Sequence, residues 1–264
     1  MKLHLGGFMK KYMFFYPYRV SLEDEIYLSI KLANKFYPNS EFYVYGDKID
    51  LSRFVSQSDE FNVSHNIEQD SQDDLINRIH NVYVEPLYNK WLDVNNSIRQ
   101  FIYDVQEPFI LMNDDFFILD TNTDIEKLYV GDIETRLDAT IVIDKATNTM
   151  RYSNYGLNLK AFKDFIADVD KVYLKHSEFH LPMYIQYPST MLTAIEMCND
   201  HYFPAVRRSY YVYLASERDG LEVIPRQFDV KYAEPFHKIT DSFFSTDDVS
   251  YNYFKEDLFK ILEK

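Results

Sequence analysis

Asn113, Asp114 and Asp115 stand between two apolar runs, Phe109 to Met112 and Phe116 to Leu119, and their types and spacing are the best suited to chemistry in this chain. An apolar run that stops abruptly in one amide and two carboxylates reads as a buried strand delivering oxygens to its C-terminal tip. Adjacent carboxylates between such flanks are costly unless something positive rests on them. A hard divalent cation, Mg²⁺ or Mn²⁺, takes carboxylate and amide oxygens and keeps positions open for phosphate. The chemistry this predicts is that of an enzyme handling a diphosphate. An equal alternative stands beside it: a loop turning at the end of a core strand with its acids in water, because short acidic turns are common.

The elements that must position this tip are readable around it. Lys11 to Tyr16 predicts a first strand, stopped by Pro17. Ser21 is placed as a helix N-cap, with Asp24 three residues on in capping-box position. Ile26, Ile30, Ala33 and Tyr37 then recur at helical spacing, and Pro38 and Asn39 end the helix. Glu41 to Tyr45 predicts a second strand, closed by Gly46 and Asp47. Strand, helix and strand with short links open a βαβ unit and imply a parallel sheet.

Residues 56–74 turn polar and acidic and are read as a solvated, mobile loop and a candidate lid. A helix is expected over Asn95 to Asp104, ending before Pro108. Thr140 to Ile143 and Lys171 to Leu174 are strand candidates, and Leu157 to Ile166 and Thr190 to Met197 are helix candidates. Tyr253 to Leu262 predicts a terminal amphipathic helix with Phe254, Leu258 and Ile261 on one face. No internal repeat, low-complexity tract or domain boundary is visible. The class is α/β in a single domain over 1–264, and a ligand is expected at the carboxyl ends of the parallel strands.

Composition limits the function. A net charge of −14 argues against a protein whose main business is gripping a phosphate backbone, which is dominated by Lys and Arg. With six glycines there is neither a P-loop nor a GxGxxG, which argues against a kinase, a P-loop NTPase and a dinucleotide enzyme of the usual type. The one cysteine, Cys198, excludes an intrachain disulfide and fits a reducing compartment. Nothing approaches the roughly 20 apolar residues of a membrane span, and Tyr12 to Tyr18 is too short for a signal core. A soluble, cytoplasmic protein is expected. The 23 Tyr and 21 Phe are more simply the mark of an AT-rich coding sequence than of sugar stacking.

Several segments, taken together, resemble the Stealth proteins, bacterial capsular polysaccharide phosphotransferases related to the eukaryotic GlcNAc-1-phosphotransferase. Their catalytic domain is a relative of the GT-A nucleotide-sugar glycosyltransferases. Pro108-Phe-Ile-Leu-Met-Asn-Asp-Asp-Phe-Phe117 is similar to the family's "FIYlNDDvf". Glu25 to Pro38 with Phe42 to Asp47 is similar to "LRYSLRS…aPW…iyiVtd", and Val94-Asn-Asn-Ser-Ile98 to the Asn-containing helix of the same block. Tyr152-Ser-Asn154, His180-Leu-Pro182 and Arg207-Arg-Ser209 follow the order of the third block, and Phe243 to Asp248 resembles the fourth. Two departures stand out. The acid of the family's first block is missing from Phe15 to Arg19, and Thr246 stands where the fourth block has Asn.

The resemblance implies a GT-A-like, Rossmann-like, mostly parallel sheet flanked by helices, with a C-terminal helical extension. It implies a transferase binding a nucleotide sugar, such as a UDP-sugar, with Mg²⁺ or Mn²⁺. A Stealth-type enzyme moves sugar-1-phosphate to an acceptor hydroxyl, whereas a GT-A glycosyltransferase moves the sugar alone. Asn113, Asp114, Asp115 and Asp247 are then the expected metal ligands. His180 is expected to take a proton from the attacking hydroxyl, a task suited to a side chain that titrates near neutrality. Arg207 and Arg208 are expected on phosphate oxygens, and Asn95, Asn96 and Asn154 on the donor. Against these stand blander readings: a turn-capping histidine at 180, two surface arginines at a strand start, and a turn at 247–248. A glycan is the expected acceptor, and a hydroxylated DNA base is the less favoured one. The missing first-block acid motivates the alternative, a non-catalytic binding module that keeps a transferase fold. A metal phosphohydrolase is a weaker third reading, because it wants Asp and His crowded around two metals.

Overall fold

The computed structural model describes residues 10–20, 23–54, 70–121, 125–169, 174–199, 205–227, 229–231, 242–246 and 250–264. In chain order they form β1 (Met13–Tyr18), α1 (Glu23–Phe36), β2 (Glu41–Gly46), α2 (Asp70–Asn77), β3 (Ile79–Tyr83), α3 (Lys90–Val105), β4 (Phe109–Leu111) and β5 (Phe116–Ile118). There follow β6 (Leu128–Asp132), α4 (Ile133–Asp138), β7 (Ile141–Asp144), β8 (Thr149–Tyr152), α5 (Asn154–Val169), β9 (Lys175–His176) and β10 (Met183–Ile185). The last are α6 (Pro188–Asn199), α7 (Arg207–Glu217), β11 (Val223–Pro225), β12 (Phe243–Ser245) and α8 (Tyr251–Glu263). The class is mixed α/β with a mostly parallel sheet, as expected. The chain divides into two compact units where the sequence shows no boundary: Met1–Val84 with Phe109–Thr123 and Val230–Lys264, and Glu85–Pro108 with Asp124–Asp229.

The first unit is built on the parallel order β4-β1-β2-β3. Phe14 pairs with Phe42 on one side and Ile110 on the other, and all three are fully buried. Such strands, covered on both faces, read as continuous apolar runs rather than alternating ones. Pro17 does not stop β1, contrary to the expectation; the strand continues to Tyr18. Alternate residues of β1 face alternate neighbours, and the Met112 amide donates to the Phe15 carbonyl. The pairing with β4 reaches only Phe15, so Pro17, two residues on, has no ladder bond to lose on that side.

Asn39 ends the turn after α1 with φ 70, as an Asx residue tolerates. Gly46 has φ 140, and a Cβ there would lie 1.8 Å from the Tyr18 carbonyl oxygen, so only glycine closes β2 against β1. Within the expected loop, 56–69 lies outside the described residues, while 70–74 opens α2 and so is helix. The Ser21 cap also lies outside them.

The terminal helix α8 is longer than expected and belongs to the core of this unit. Its Tyr251, Phe254 and Leu258 meet Leu28 and Leu32 of α1 and Phe117 and Phe244 of the antiparallel pair β5–β12. Ile261, expected on the same face, is partly buried against that cluster. Asp24 of α1 receives both Arg53 and Lys255, tying α1 to a 3-10 turn (Leu51–Phe54) and to α8. Burying aromatic side chains such as Phe244 and Phe254 stabilises by roughly 1.5–3 kcal/mol each.

The second unit holds β11-β6-β9, with β11 parallel and β9 antiparallel to β6, and the hairpin β7–β8. Helix α3 starts five residues before its expected beginning, because the Asn89 side chain accepts from the amides of Trp91 and Leu92 and caps it. Helix α7 has no counterpart in the sequence reading. The residues of α7 from Arg207 to Tyr213 are all buried, so no polar face marks its period. Of the strand expected at Lys171 to Leu174, 171–173 lies outside the described residues, and the strand present is β9. Among the described residues no helix is long and apolar enough to cross a membrane.

Candidate functional site

The acidic tip is where the sequence placed it. Strand β4 ends at Leu111, and the chain turns through Asn113, Asp114 and Asp115 before β5, with the Phe116 amide donating to the Asn113 carbonyl at 3.2 Å. All three side chains are partly buried. Asp115 Oδ2 lies 3.5 Å from Lys231 Nζ and 3.5 Å from Ser245 Oγ, at the edge of hydrogen-bond range. Its Oδ1 is buried with no hydrogen-bond partner. A buried carboxylate oxygen left without a donor is costly, and its oxygen chemistry fits a hard cation. Among the described residues no three His, Cys, Asp or Glu side chains come together as a metal cluster. Asp247, the fourth expected ligand, and Asp248 lie outside the described residues.

Around this turn the core holds several hydrogen-bonded polar groups. Glu25 of α1 is buried and accepts from Thr246 Oγ1 at 3.1 Å. Thr246, found where the resemblance expects Asn, also donates its amide to the Asp115 carbonyl at 3.3 Å. Tyr16 shares a hydrogen bond with Ser29 at 3.2 Å, and Ser29 donates to the Phe116 carbonyl at 2.5 Å. Burial pushes the Tyr16 hydroxyl far above its ordinary value; Ser29 works against that rise and Asp114 adds to it. Tyr16 therefore stays a neutral hydrogen-bonding group.

In the second unit His180 is held by one carboxylate at two points. Its backbone amide donates to Asp229 Oδ1 at 2.9 Å, and its ring Nδ1 lies 2.6 Å from Oδ2. Burial works against the Asp229 carboxylate, but hydrogen bonds and charge from His180, and the charge of Arg136, outweigh it and hold its pKa at about 2. Arg136 Nη1 stands 3.7 Å from Oδ2. Asp229 was absent from the sequence reading, since a single acid 49 residues from its partner carries no spacing signal. One signal was present: His176-Ser-Glu-Phe-His180 sets titratable residues at alternate positions. His176 is buried, and burial together with Arg136 lowers its pKa to about 4.

Arg207 and Arg208 are not surface residues on a strand start; they open α7 and are buried. Arg208 Nη1 donates to the carbonyls of Phe179, at 3.2 Å, and Leu181, at 2.6 Å, the two neighbours of His180. Arg207 Nε and Nη1 are buried with no hydrogen-bond partner. Burial pulls the Arg207 guanidinium below its ordinary value, opposed by the charge of Glu178. Asn95 is buried in α3, and its Nδ2 donates to Asn199 Oδ1 at 2.8 Å, while Asn96 beside it is partly buried. Asn154 is exposed at the start of α5, where its carbonyl accepts from Asn158. The lone Cys198 is buried and its thiol is pushed up to about 12, which makes it no nucleophile.

No family model matches the chain. No curated protein matches it either. Among solved structures it is similar to the apo-form glycosyltransferase GlyE of Streptococcus pneumoniae TIGR4, at 12% identity and a TM-score of 0.33. That likeness covers 96% of this chain and 62% of the other, so the chain spans less than two thirds of the protein it matches.

Proposed function

We propose that this chain is a transferase that moves a sugar, or a sugar-1-phosphate, from a nucleotide-sugar donor to an acceptor hydroxyl. The single observation that carries this reading is Asp115 Oδ1, a buried carboxylate oxygen with no donor, in a turn that also holds Asn113 and Asp114. Asn113, Asp114 and Asp115, with Asp247, would hold Mg²⁺ or Mn²⁺. Such a cation neutralises diphosphate charge and orients it. His180 is the proposed acceptor of the hydroxyl proton. Arg207, with two buried donors unpartnered, is the proposed support for phosphate oxygens. Asn95, Asn96 and Asn154 remain proposed donor contacts, and Arg208 joins them through the loop it holds. A GT-A-like fold and a glycan acceptor are part of the same proposal.

The experiment that tests it incubates the protein with Mn²⁺, a panel of UDP-sugars and simple glycan acceptors, and identifies the released nucleotide. UDP release means glycosyl transfer, and UMP release means sugar-phosphate transfer. Absence of either product across the panel contradicts the proposal.

A second reading is favoured by Lys231. Its ammonium already faces Asp115 Oδ2, so an internal cation supplies part of what a metal would. On this reading the chain is a non-catalytic binding module. It predicts donor binding without turnover, and metal-dependent turnover of any nucleotide sugar excludes it.

A further inference from the structure

The segment from His176 to Leu181 is pinned at every residue. His176 Nδ1 accepts from the Glu178 amide at 3.0 Å, and Ser177 donates its hydroxyl to the Tyr129 carbonyl at 2.7 Å. Glu178 Oε1 accepts from Ser209, and Arg208 holds the carbonyls on either side of His180. Within this rigid frame the His180 side chain is 31% exposed, while its carboxylate partner is 19% exposed. A carboxylate only accepts, so the ring nitrogen facing it carries the proton. The other nitrogen, Nε2, is then left with its lone pair.

We propose that Asp229 is a positioning residue for His180: it fixes the imidazole in the Nδ1–H tautomer and presents Nε2 as the base. This rests on the reading of His180 as the proton acceptor. The acceptor O–H bond breaks and its proton passes to Nε2, while the acceptor oxygen bonds to the anomeric carbon or phosphorus of the donor. The bond from that atom to the nucleotide oxygen breaks, releasing nucleoside diphosphate or monophosphate. Asp229 stays ionised and stabilises the imidazolium that forms.

Asparagine at this position has a specific consequence. The His180 backbone amide needs an acceptor, so the Asn oxygen takes the place of Oδ1 and its NH₂ group faces Nδ1. That group can only donate, which forces the proton onto Nε2 and closes the base.

The test is ¹⁵N NMR of histidine-labelled protein, with His180 assigned by His180→Gln and spectra taken on the plateau where its imidazole is neutral. The wild type is expected to show Nδ1 protonated and Nε2 bare, and Asp229→Asn is expected to reverse the two. An Nε2–H tautomer in the wild type overturns the proposal, as does an unchanged tautomer in a folded Asp229→Asn. Because the first result needs no variant, a misfolded mutant leaves the claim testable. In the transfer assay Asp229→Asn is expected to lower kcat by about 10²-fold or more with donor KM unchanged. If the wild type turns over no nucleotide sugar, the transferase reading fails by that measurement, and the tautomer still decides the positioning claim.

Discussion

Glu178 Oε1 accepts from both the amide and the hydroxyl of Ser209, each at 2.9 Å. Ser209 is the third residue of α7, whose N-cap, Val206, offers no side-chain oxygen. Glu178 therefore caps the helix from another part of the chain, where an anion is also favoured by the helix dipole. The same carboxylate offsets the charge of buried Arg207. One acid thus fastens the His180 segment to α7.

Replacing it should be severe. Glu178→Ala leaves an uncapped helix and an uncompensated buried guanidinium, and we expect a loss of about 3–5 kcal/mol. Urea unfolding at pH 7 measures it. A loss below about 1 kcal/mol would mean the carboxylate is not the partner of Arg207 and α7.

Gly131 faces the same segment from β6. A Cβ there would lie 2.7 Å from His176 Nε2, 2.8 Å from Phe179 Cζ and 3.2 Å from the Arg226 carbonyl. Gly131→Ala must displace the ring of His176, of Phe179, or both, in the segment that carries His180. We expect a cost of about 1–3 kcal/mol and a disturbed His180 ring signal. An unaltered melting temperature and spectrum would contradict the close contact.

Two groups predict separate acid windows. His176 is lowered from 6.5 to about 4 on folding, so the unfolded chain binds the extra proton. Its contribution is complete above pH 6.5 and is lost as pH falls toward 4; it amounts to on the order of 3 kcal/mol. Asp229 is lowered from 3.8 to about 2, so its contribution, on the order of 2 kcal/mol, is intact above pH 3.8 and disappears toward pH 2. Stability measured by urea at pH 7, 5 and 3 should fall at each step, and Asp229→Asn should make the decline below pH 4 shallower, the rest coming from other carboxylates lowered on folding, such as Asp24 and Asp132. A flat profile between pH 7 and 5 would contradict the buried neutral His176.

These residues show where sequence reasoning reached and where it stopped. The strand–helix–strand opening was legible because Ile26, Ile30 and Ala33 keep a helical period and Pro38 and Gly46 punctuate it. The acidic turn was legible because a buried run of four apolar residues meets three polar ones. Helix α7 was not, because burial on every side erases the period on which such readings depend. Pro17 misled because whether a proline breaks a strand depends on which neighbour its nitrogen faces, a tertiary fact. Asp229 and Lys231 were invisible for a related reason. Their partners, His180 and Asp115, are 49 and 116 residues away, and only folding joins them.

The measurement that bears most directly on the central claim, that the turn at Asp115 holds a cation serving a nucleotide sugar, is thermal unfolding with UDP-sugars and Mn²⁺, alone and together. With ligand at about 100 times its Kd, binding stabilises by roughly 2.7 kcal/mol, a rise of roughly 5 °C for a chain of this length. The account predicts that rise for the wild type with donor and metal together, and its loss in Asp115→Ala. An equal rise in Asp115→Ala, or no rise in the wild type with any donor and metal, would contradict it.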